Sequence, residues 1–161
     1  MALDQLVLRP TADGWTYARA GVATGHIALQ PQWQLRSGPE LWVVESYARG
    51  WRWAATRSGS TVPEAWLDAG EVGVRGATLI RRDGEELRLD VRALRRTRWV
   101  LRDADGDLLL GLRPMKDDRV HIEITRPVDP LVLLLTCLFV IVQGLQPFLG
   151  GGGGDGPIVL P

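Results

Sequence analysis

Short runs that alternate between apolar and polar residues fill the chain from residue 15 to residue 125, and no sustained helical spacing interrupts them. In the run 86–93 (ELRLDVRA), four apolar residues alternate with four charged ones, which gives a pleated strand one apolar and one charged face. The run 119–125 (RVHIEIT) shows the same alternation. The pattern therefore predicts a series of half-buried β-strands.

Residues that favour turns separate these runs. Asp83-Gly84 lies between two of them and is a strong hairpin signal. The segments DADGD (103–107) and PMKDD (114–118) separate later runs. Consecutive hairpins predict an antiparallel meander, for which we expect about eight to ten strands. Because one face of each strand is apolar, the sheet needs an apolar element to cover it.

The segment from Asp129 to Gly150 (DPLVLLLTCLFVIVQGLQPFLG) is the most apolar stretch of the chain. Asp129 suits a helix N-cap, Pro130 the first helical position and Gly144 a closing cap. A helix over 130–143 is about 21 Å long, which is less than the hydrocarbon thickness of a bilayer. Since this helix has no polar face, it must be enclosed, and we expect the chain's own strands to enclose it.

A membrane span is the alternative interpretation of the same segment. Extended through Leu149, the stretch has about 20 residues, which is enough to cross a bilayer. Basic residues precede it and none follows, as in a tail-anchored protein whose body faces the cytosol. Gln143, Gln146 and Pro147 are unfavourable within such a span.

The charge balance gives no argument for a nucleic-acid partner. Lys and Arg number 19, as do Asp and Glu, so a partner attracted by charge must use a local patch. Lys116 is the single lysine, an arginine bias typical of a GC-rich bacterial genome. The N-terminus does not resemble a secretory signal peptide, and the single Cys137 excludes an internal disulfide. We therefore expect a cytoplasmic protein.

Three carboxylates on alternate residues, Asp103, Asp105 and Asp107, are similar to the first positions of a calcium-binding loop. The glycine, Gly106, comes two positions early, and Pro114 stands where the loop needs a bidentate glutamate. A hairpin turn is therefore the better interpretation. The two histidines lack the further ligands of a zinc site, so we expect no metal and no cofactor.

No arrangement of nucleophile, base and orienting acid is visible in the sequence. The serines lack a G-x-S-x-G elbow, and Cys137 lies in the apolar segment, where burial keeps a thiol protonated and inert. We therefore predict no catalytic residues and a protein that is not an enzyme.

Two arginine clusters flank the run 86–93 and are the candidate ligand-binding residues. They are Arg81 with Arg82, and Arg95 and Arg96 with Arg98. Guanidinium groups bind phosphate through planar bidentate contacts, so each cluster is a candidate site for anionic head groups. A solvated sheet face, balanced by neighbouring acids, is the alternative.

Three segments resemble the tubby C-terminal-like superfamily, which includes LURP-one-related proteins and phospholipid scramblases. They are the strand, Asp-Gly turn and strand RWVLRDADGDLLLGLRP, the last strand RVHIEIT and the helix DPLVLLLTCLFVIVQ. The resemblance covers residues 14–143 and implies a closed barrel of about twelve strands around a central helix. It also implies binding to phosphoinositides or membrane surfaces. The chain shows fewer clear strands, and it has no acidic cluster matching a scramblase calcium site.

We therefore predict a mainly β fold, an antiparallel meander that closes into a barrel around one buried hydrophobic C-terminal helix. Residues 1–13 are expected to be an N-terminal extension, 14–149 a tubby-like barrel domain and 150–161 a flexible Gly-rich tail. The predicted function is non-enzymatic binding or scaffolding at an anionic phospholipid or phosphoinositide surface, without nucleic acid. The alternative is a C-terminally tail-anchored membrane protein with a cytosolic β domain. No particular protein partner is indicated.

Overall fold

The computed structural model describes residues 4–19, 22–47, 52–69, 76–93 and 97–144, which form twelve β-strands followed by a helix. The strands are β1 (Asp4–Pro10), β2 (Gly14–Arg19), β3 (Val22–Ala28), β4 (Trp33–Ser37), β5 (Glu40–Tyr47), β6 (Arg52–Arg57), β7 (Pro63–Asp68), β8 (Gly76–Arg81), β9 (Glu86–Ala93), β10 (Thr97–Arg102), β11 (Leu108–Pro114) and β12 (Val120–Ile124). The helix α1 spans Pro130–Phe139 and continues as wider π-helical turns over Val140–Gly144.

The strands close into one antiparallel barrel. Each strand pairs with its neighbour in the chain, and β1 pairs with β12 from Asp4 opposite Ile124 to Leu8 opposite Val120. The predicted closed meander is confirmed, but the expected number of strands was too low. The strand β1 lies in the segment that was predicted to be an extension, and β4 has only five residues, so neither shows a long alternation in sequence.

The first strand also corrects the predicted start of the barrel domain. The chain joins the barrel at Asp4 rather than at residue 14, because Leu6 and Leu8 of β1 are buried in the core. In the sequence alone, two inward leucines in a seven-residue run are a weak indication of a strand. The predicted tail 150–161 and residues 145–149 of the predicted domain lie outside the described residues.

Both predicted Asp-Gly hairpins are confirmed. Gly84 connects β8 to β9 with φ 92°, and Gly106 connects β10 to β11 with φ 87°. Glycine adopts positive φ without the steric cost that a side chain imposes, so these two residues close their turns without strain.

The helix α1 lies inside the barrel, as predicted. Every residue from Leu131 to Ile141 is buried, and the most exposed of them, Leu131, has 6% of its surface accessible. The helix contacts β3, β4 and β7, whereas its continuation contacts β11 on the nearly opposite side of the strand order. Strands therefore surround the helix. Within the described ranges, no helix is both long and apolar enough to cross a membrane.

The N-cap of α1 is the predicted one. The Asp129 Oδ1 atom accepts a hydrogen bond from the backbone N–H of Val132 at 2.9 Å, and Pro130 occupies the first turn. This contact satisfies one of the backbone donors that a helix leaves unpaired at its start.

Aromatic side chains hold the far part of α1. The ring of Phe139 lies 5.3 Å from that of Trp53 and 5.6 Å from that of Trp99, measured between centroids. Trp53 belongs to β6 and Trp99 to β10, so one helix residue joins two separate parts of the wall. Tilted and edge-on aromatic contacts of this kind add about 0.5–1.5 kcal/mol beyond the area that they bury.

The two ends of the barrel carry different turns, because consecutive hairpins of a meander alternate between ends. We call the end where α1 begins the entry end; it carries the connections 38–39, 58–62, 82–85, 103–107 and 125–129. We call the end where α1 finishes the exit end; its described connections are 11–13, 29–32 and 115–119.

Candidate functional site

Arg57 is the centre of an ion-pair network at the entry end. Its Nε and Nη2 atoms donate to both carboxylate oxygens of Glu64, at 2.6 and 3.3 Å, and its Nη1 atom lies 2.5 Å from Oε2 of Glu40. The guanidinium also lies 5.2 Å from the ring centre of Trp42, whose Nε1 donates to Glu64 at 3.3 Å. The hydrogen bonds to Glu64 and Glu40 raise the pKa of Arg57. The hydrogen bond from Arg57 holds the pKa of Glu64 below its usual value.

A second group of ion pairs joins the start of α1 to the barrel wall. The Nη2 atom of Arg81 lies 2.8 Å from Oδ2 of Asp129, and its Nη1 atom lies 3.5 Å from Oε1 of Glu85. Because the other oxygen of Asp129 caps the helix, a single carboxylate binds both the helix and the strand β8.

A cavity of about 270 Å³ separates these two groups. Its apolar lining includes Trp42, Leu131 and Val132. The charged groups around it already bind one another through ion pairs. We therefore interpret this set of residues as a structural clamp that closes the entry end over the start of α1. The entry clamp comprises Glu40, Arg57, Glu64, Arg81 and Asp129.

Arg81 and Arg82, the first predicted phosphate-binding cluster, both have intramolecular partners. Arg81 belongs to the entry clamp, and Arg82 donates to the backbone carbonyls of Pro63 at 3.2 Å and Val62 at 2.9 Å. Their guanidinium groups are thus engaged in holding the turns of the entry end. Arg36 of β4 is an exception at this end: its side chain is exposed and has no ion pair with a described residue.

The acidic turn between β10 and β11 forms a compact carboxylate cluster. Oxygens of Asp103, Asp105 and Asp107 lie within 4.8 Å of one another. The Oδ1 atom of Asp103 accepts hydrogen bonds from the backbone N–H groups of Asp105 and Asp107, both at 2.9 Å. The Nη1 atom of Arg126 lies 3.1 Å from Oδ2 of Asp107, so a cation of the protein itself partly balances the charge of the cluster. This geometry fits the predicted hairpin turn, in which a side chain satisfies the backbone.

Arg98 and Arg113 lie side by side on the outer wall toward the exit end. Trp99 pairs with Leu112 in the β10–β11 register, which puts Arg98 opposite Arg113. The guanidinium of Arg98 extends over Gly111, where a Cβ atom would come within 2.9 Å of Nη2. Within the described part of the chain, neither guanidinium group has a hydrogen bond or an ion pair. Of the second predicted cluster, Arg98 is thus accessible, whereas Arg95 and Arg96 lie outside the described residues.

Further basic residues extend this surface around the exit end. Leu8 pairs with Val120, which places Arg9 next to Arg119, and Lys116 lies in the connection between β11 and β12. We define the basic face as Arg9, Arg98, Arg113, Lys116 and Arg119.

Two acids lie in the same connection as Lys116 and reduce the positive charge of the basic face. The Oδ2 atom of Asp117 is 3.9 Å from Arg119, and the backbone carbonyl of Asp118 accepts a hydrogen bond from Nε1 of Trp15 at 3.0 Å. Asp13, in the connection 11–13 that follows Arg9, is a third exposed acid at this end. Because the five basic residues outnumber these three acids, the face keeps a positive excess.

The two histidines have polar neighbours on the outer wall. His121 pairs in register with Arg113 and lies 3.3 Å from Oε1 of Gln5. His26 lies 3.4 Å from Asp13.

The single cysteine is enclosed with α1. Burial raises the pKa of the Cys137 thiol, so the thiol stays protonated at neutral pH, as predicted from its place in the apolar segment. Burial likewise raises the pKa of Tyr17 to about 12. Both groups face the core rather than a surface where a ligand could reach them.

Sequence reasoning missed most of the basic face. Arg113, Arg9 and Arg119 are far apart in sequence from Arg98, and only the strand register places them on one surface. The alternation in β12 puts His121 on the outer face, but this bears on Arg113 only once the strand register pairs the two residues. Comparison of this chain with protein-family models, with curated proteins and with solved structures finds no match.

Proposed function

We propose that this protein is a non-enzymatic binding module that docks on anionic, phosphate-bearing membrane surfaces through its basic face. One observation carries the proposal: Arg98 and Arg113 are adjacent on the outer wall and have no partner among the described residues. In contrast, Arg57 and Arg81 at the entry end are neutralised by carboxylates. Unpaired charge kept on one surface is free to bind an external anion.

The chemistry of arginine suits a phosphate surface. A guanidinium group presents a planar set of donors that can bind two phosphate oxygens at once. Each Lys or Arg near an anionic bilayer contributes about 1 kcal/mol of attraction, which is screened by salt. The five residues of the basic face therefore supply enough attraction for reversible binding without a lipid-spanning segment.

The zero net charge of the chain does not oppose this function. A local excess of positive charge does not require a positive chain, and the acidic turn 103–107 lies at the entry end, away from the basic face. Such a local patch can attract an anionic surface.

The position of α1 supports docking by surface charge in preference to the tail-anchor alternative. Residues 131–141 are enclosed by strands, so α1 has no side exposed for contact with lipid chains. A tail anchor would require α1 to leave the barrel. Its release would expose the aromatic contacts of Phe139 with Trp53 and Trp99 to water, which is unfavourable.

Sedimentation with lipid vesicles tests the proposal. The wild-type chain should bind vesicles that contain phosphatidylserine and should not bind vesicles of phosphatidylcholine alone, and the binding should weaken as salt is added. The double variant Arg98→Ala/Arg113→Ala should lose about 2 kcal/mol of binding free energy, which is roughly 30-fold in affinity.

The matched control removes the same charge elsewhere. Arg19→Ala/Arg36→Ala changes two exposed arginines toward the entry end, and we expect it to bind like the wild type. Equal losses in both double variants would contradict a local basic face and indicate nonspecific charge attraction. No binding by the wild type to either kind of vesicle would remove the proposal.

A further inference from the structure

We infer that the barrel docks end-on, with its exit end against the bilayer and with Met115 and Tyr47 in contact with the lipid interface. This inference rests on the proposed function and adds the orientation and the apolar contacts. Four large apolar side chains are exposed in the described residues: Tyr47 (51%), Val62 (52%), Trp66 (37%) and Met115 (38%). Two of these four, Tyr47 and Met115, lie at the exit end.

The two side chains lie on opposite sides of the same rim. Met115 directly follows β11, and Tyr47 is the last residue of β5. In the closed order of twelve strands, β5 and β11 are six positions apart in either direction. A flat surface that touches both residues must therefore cap the exit end.

Side-on docking cannot use both residues. A twelve-stranded barrel is roughly 24 Å across, from the spacing and tilt of its strands. If the wall of Arg98 and Arg113 lay flat on the membrane, Tyr47 would be on the far side. At that distance the ring of Tyr47 could not touch the lipid interface. The contribution of Tyr47 thus distinguishes the two orientations.

The connection that carries Met115 is held in a defined conformation. The backbone N–H of Met115 donates to the carbonyl of Arg119 at 2.7 Å, and Trp15 binds the carbonyl of Asp118 at 3.0 Å. Asp117 and Asp118 both have positive φ, 66° and 62°, so the turn is tight. Met115 is therefore presented outward without a large entropic cost of ordering the turn on contact.

The chemistry of the rim fits the interface of a bilayer. Tyrosine has an apolar ring and a polar hydroxyl, and it is enriched at the level of lipid head groups. Stable attachment to a membrane requires two signals, and here the basic face supplies charge while Met115 and Tyr47 supply apolar contact. The carboxylates of the turn 103–107 oppose the reverse orientation, because they would face the anionic lipids.

Site-specific fluorescence tests this orientation. The native Cys137 is buried and its raised pKa keeps the thiol protonated, so an introduced exposed cysteine can be labelled selectively with an NBD fluorophore. Labelled Met115→Cys and Tyr47→Cys should both show a blue shift when vesicles of phosphatidylcholine and phosphatidylserine are added. Labelled Val62→Cys, at the entry end, is the matched control and should show none.

The outcomes separate the orientation from the proposed function. A blue shift at residue 115 without one at residue 47 would overturn end-on docking in favour of side-on docking through the basic face. A blue shift at residue 62 would overturn it in favour of the entry end. If the labelled chains do not sediment with the anionic vesicles at all, the proposed function fails, and the orientation fails with it.

Discussion

The two ends of the barrel use charge in opposite ways. At the entry end, Arg57 and Arg81 bind carboxylates of their own chain and hold the start of α1. Toward the exit end, Arg98 and Arg113 have no partner among the described residues, and aromatic packing around Phe139 holds the helix. Arg57 and Arg81 therefore stabilise the fold, whereas Arg98 and Arg113 stay available to a ligand.

The largest expected effect comes from removing the aromatic contact toward the exit end. Phe139→Ala should lower the free energy of unfolding by about 3–5 kcal/mol, because it deletes a fully buried ring that packs on Trp53 and Trp99. Urea denaturation followed by circular dichroism measures this change. Phe139→Leu keeps most of the volume and should cost much less. A loss below 1 kcal/mol would mean that the ring does not connect the helix to the wall.

Arg57 provides the corresponding test at the entry end. Arg57→Gln leaves Glu40 and Glu64 without their cation and should lower the free energy of unfolding, by less than Phe139→Ala does because solvent screens the ion pairs. Arg57→Lys keeps the charge but loses the bidentate contact, so its effect should be intermediate. The same urea titration applies. Vesicle binding should not change in either variant, and a parallel loss of binding would show that the two ends are not separate in function.

Asp129 combines two contacts that can be measured separately. Asp129→Ala removes the N-cap and the partner of Arg81, and we expect a loss of about 1 kcal/mol of unfolding free energy. Asp129→Asn retains a capping oxygen but not the ion pair, so its loss should be smaller. Thermal unfolding of the three proteins distinguishes the contributions. If both variants lose equally, the ion pair and not the cap connects α1 to the wall.

The pH dependence of stability should originate partly in the entry clamp. The pKa of Glu64 is lowered in the folded state by its hydrogen bond from Arg57, below the ordinary value of 4.5. The stabilisation is therefore fully present above pH 4.5 and is lost as the pH falls through the folded pKa. The stability difference between wild type and Glu64→Gln should shrink across that range in acid titrations of unfolding. A constant difference down to pH 2 would contradict this origin.

The fold was more predictable from sequence than the site. The helix was recognisable because Asp129 and Pro130 mark its start and because a segment without a polar face must be enclosed. The number of strands was underestimated because β1 lies in the segment that was expected to be an N-terminal extension, and because β4 has only five residues and shows little alternation.

The site depends on distances that a linear sequence does not contain. Arg81 and Arg82 look like a free cationic pair until the fold brings Asp129 and two carbonyl groups to them. Conversely, Arg113 stands alone in sequence and becomes part of a surface only when β10 and β11 pair. Whether an arginine is available to a ligand is thus decided by register and by long-range partners.

Hydrogen–deuterium exchange with and without phosphatidylserine vesicles tests the difference between the ends most directly. We predict slower exchange on vesicle binding for the connection 115–119 and the adjoining part of β12, with no change for the turn 103–107. Slower exchange at 103–107, or equal changes at both ends, would contradict the assignment of the lipid-binding surface to the exit end.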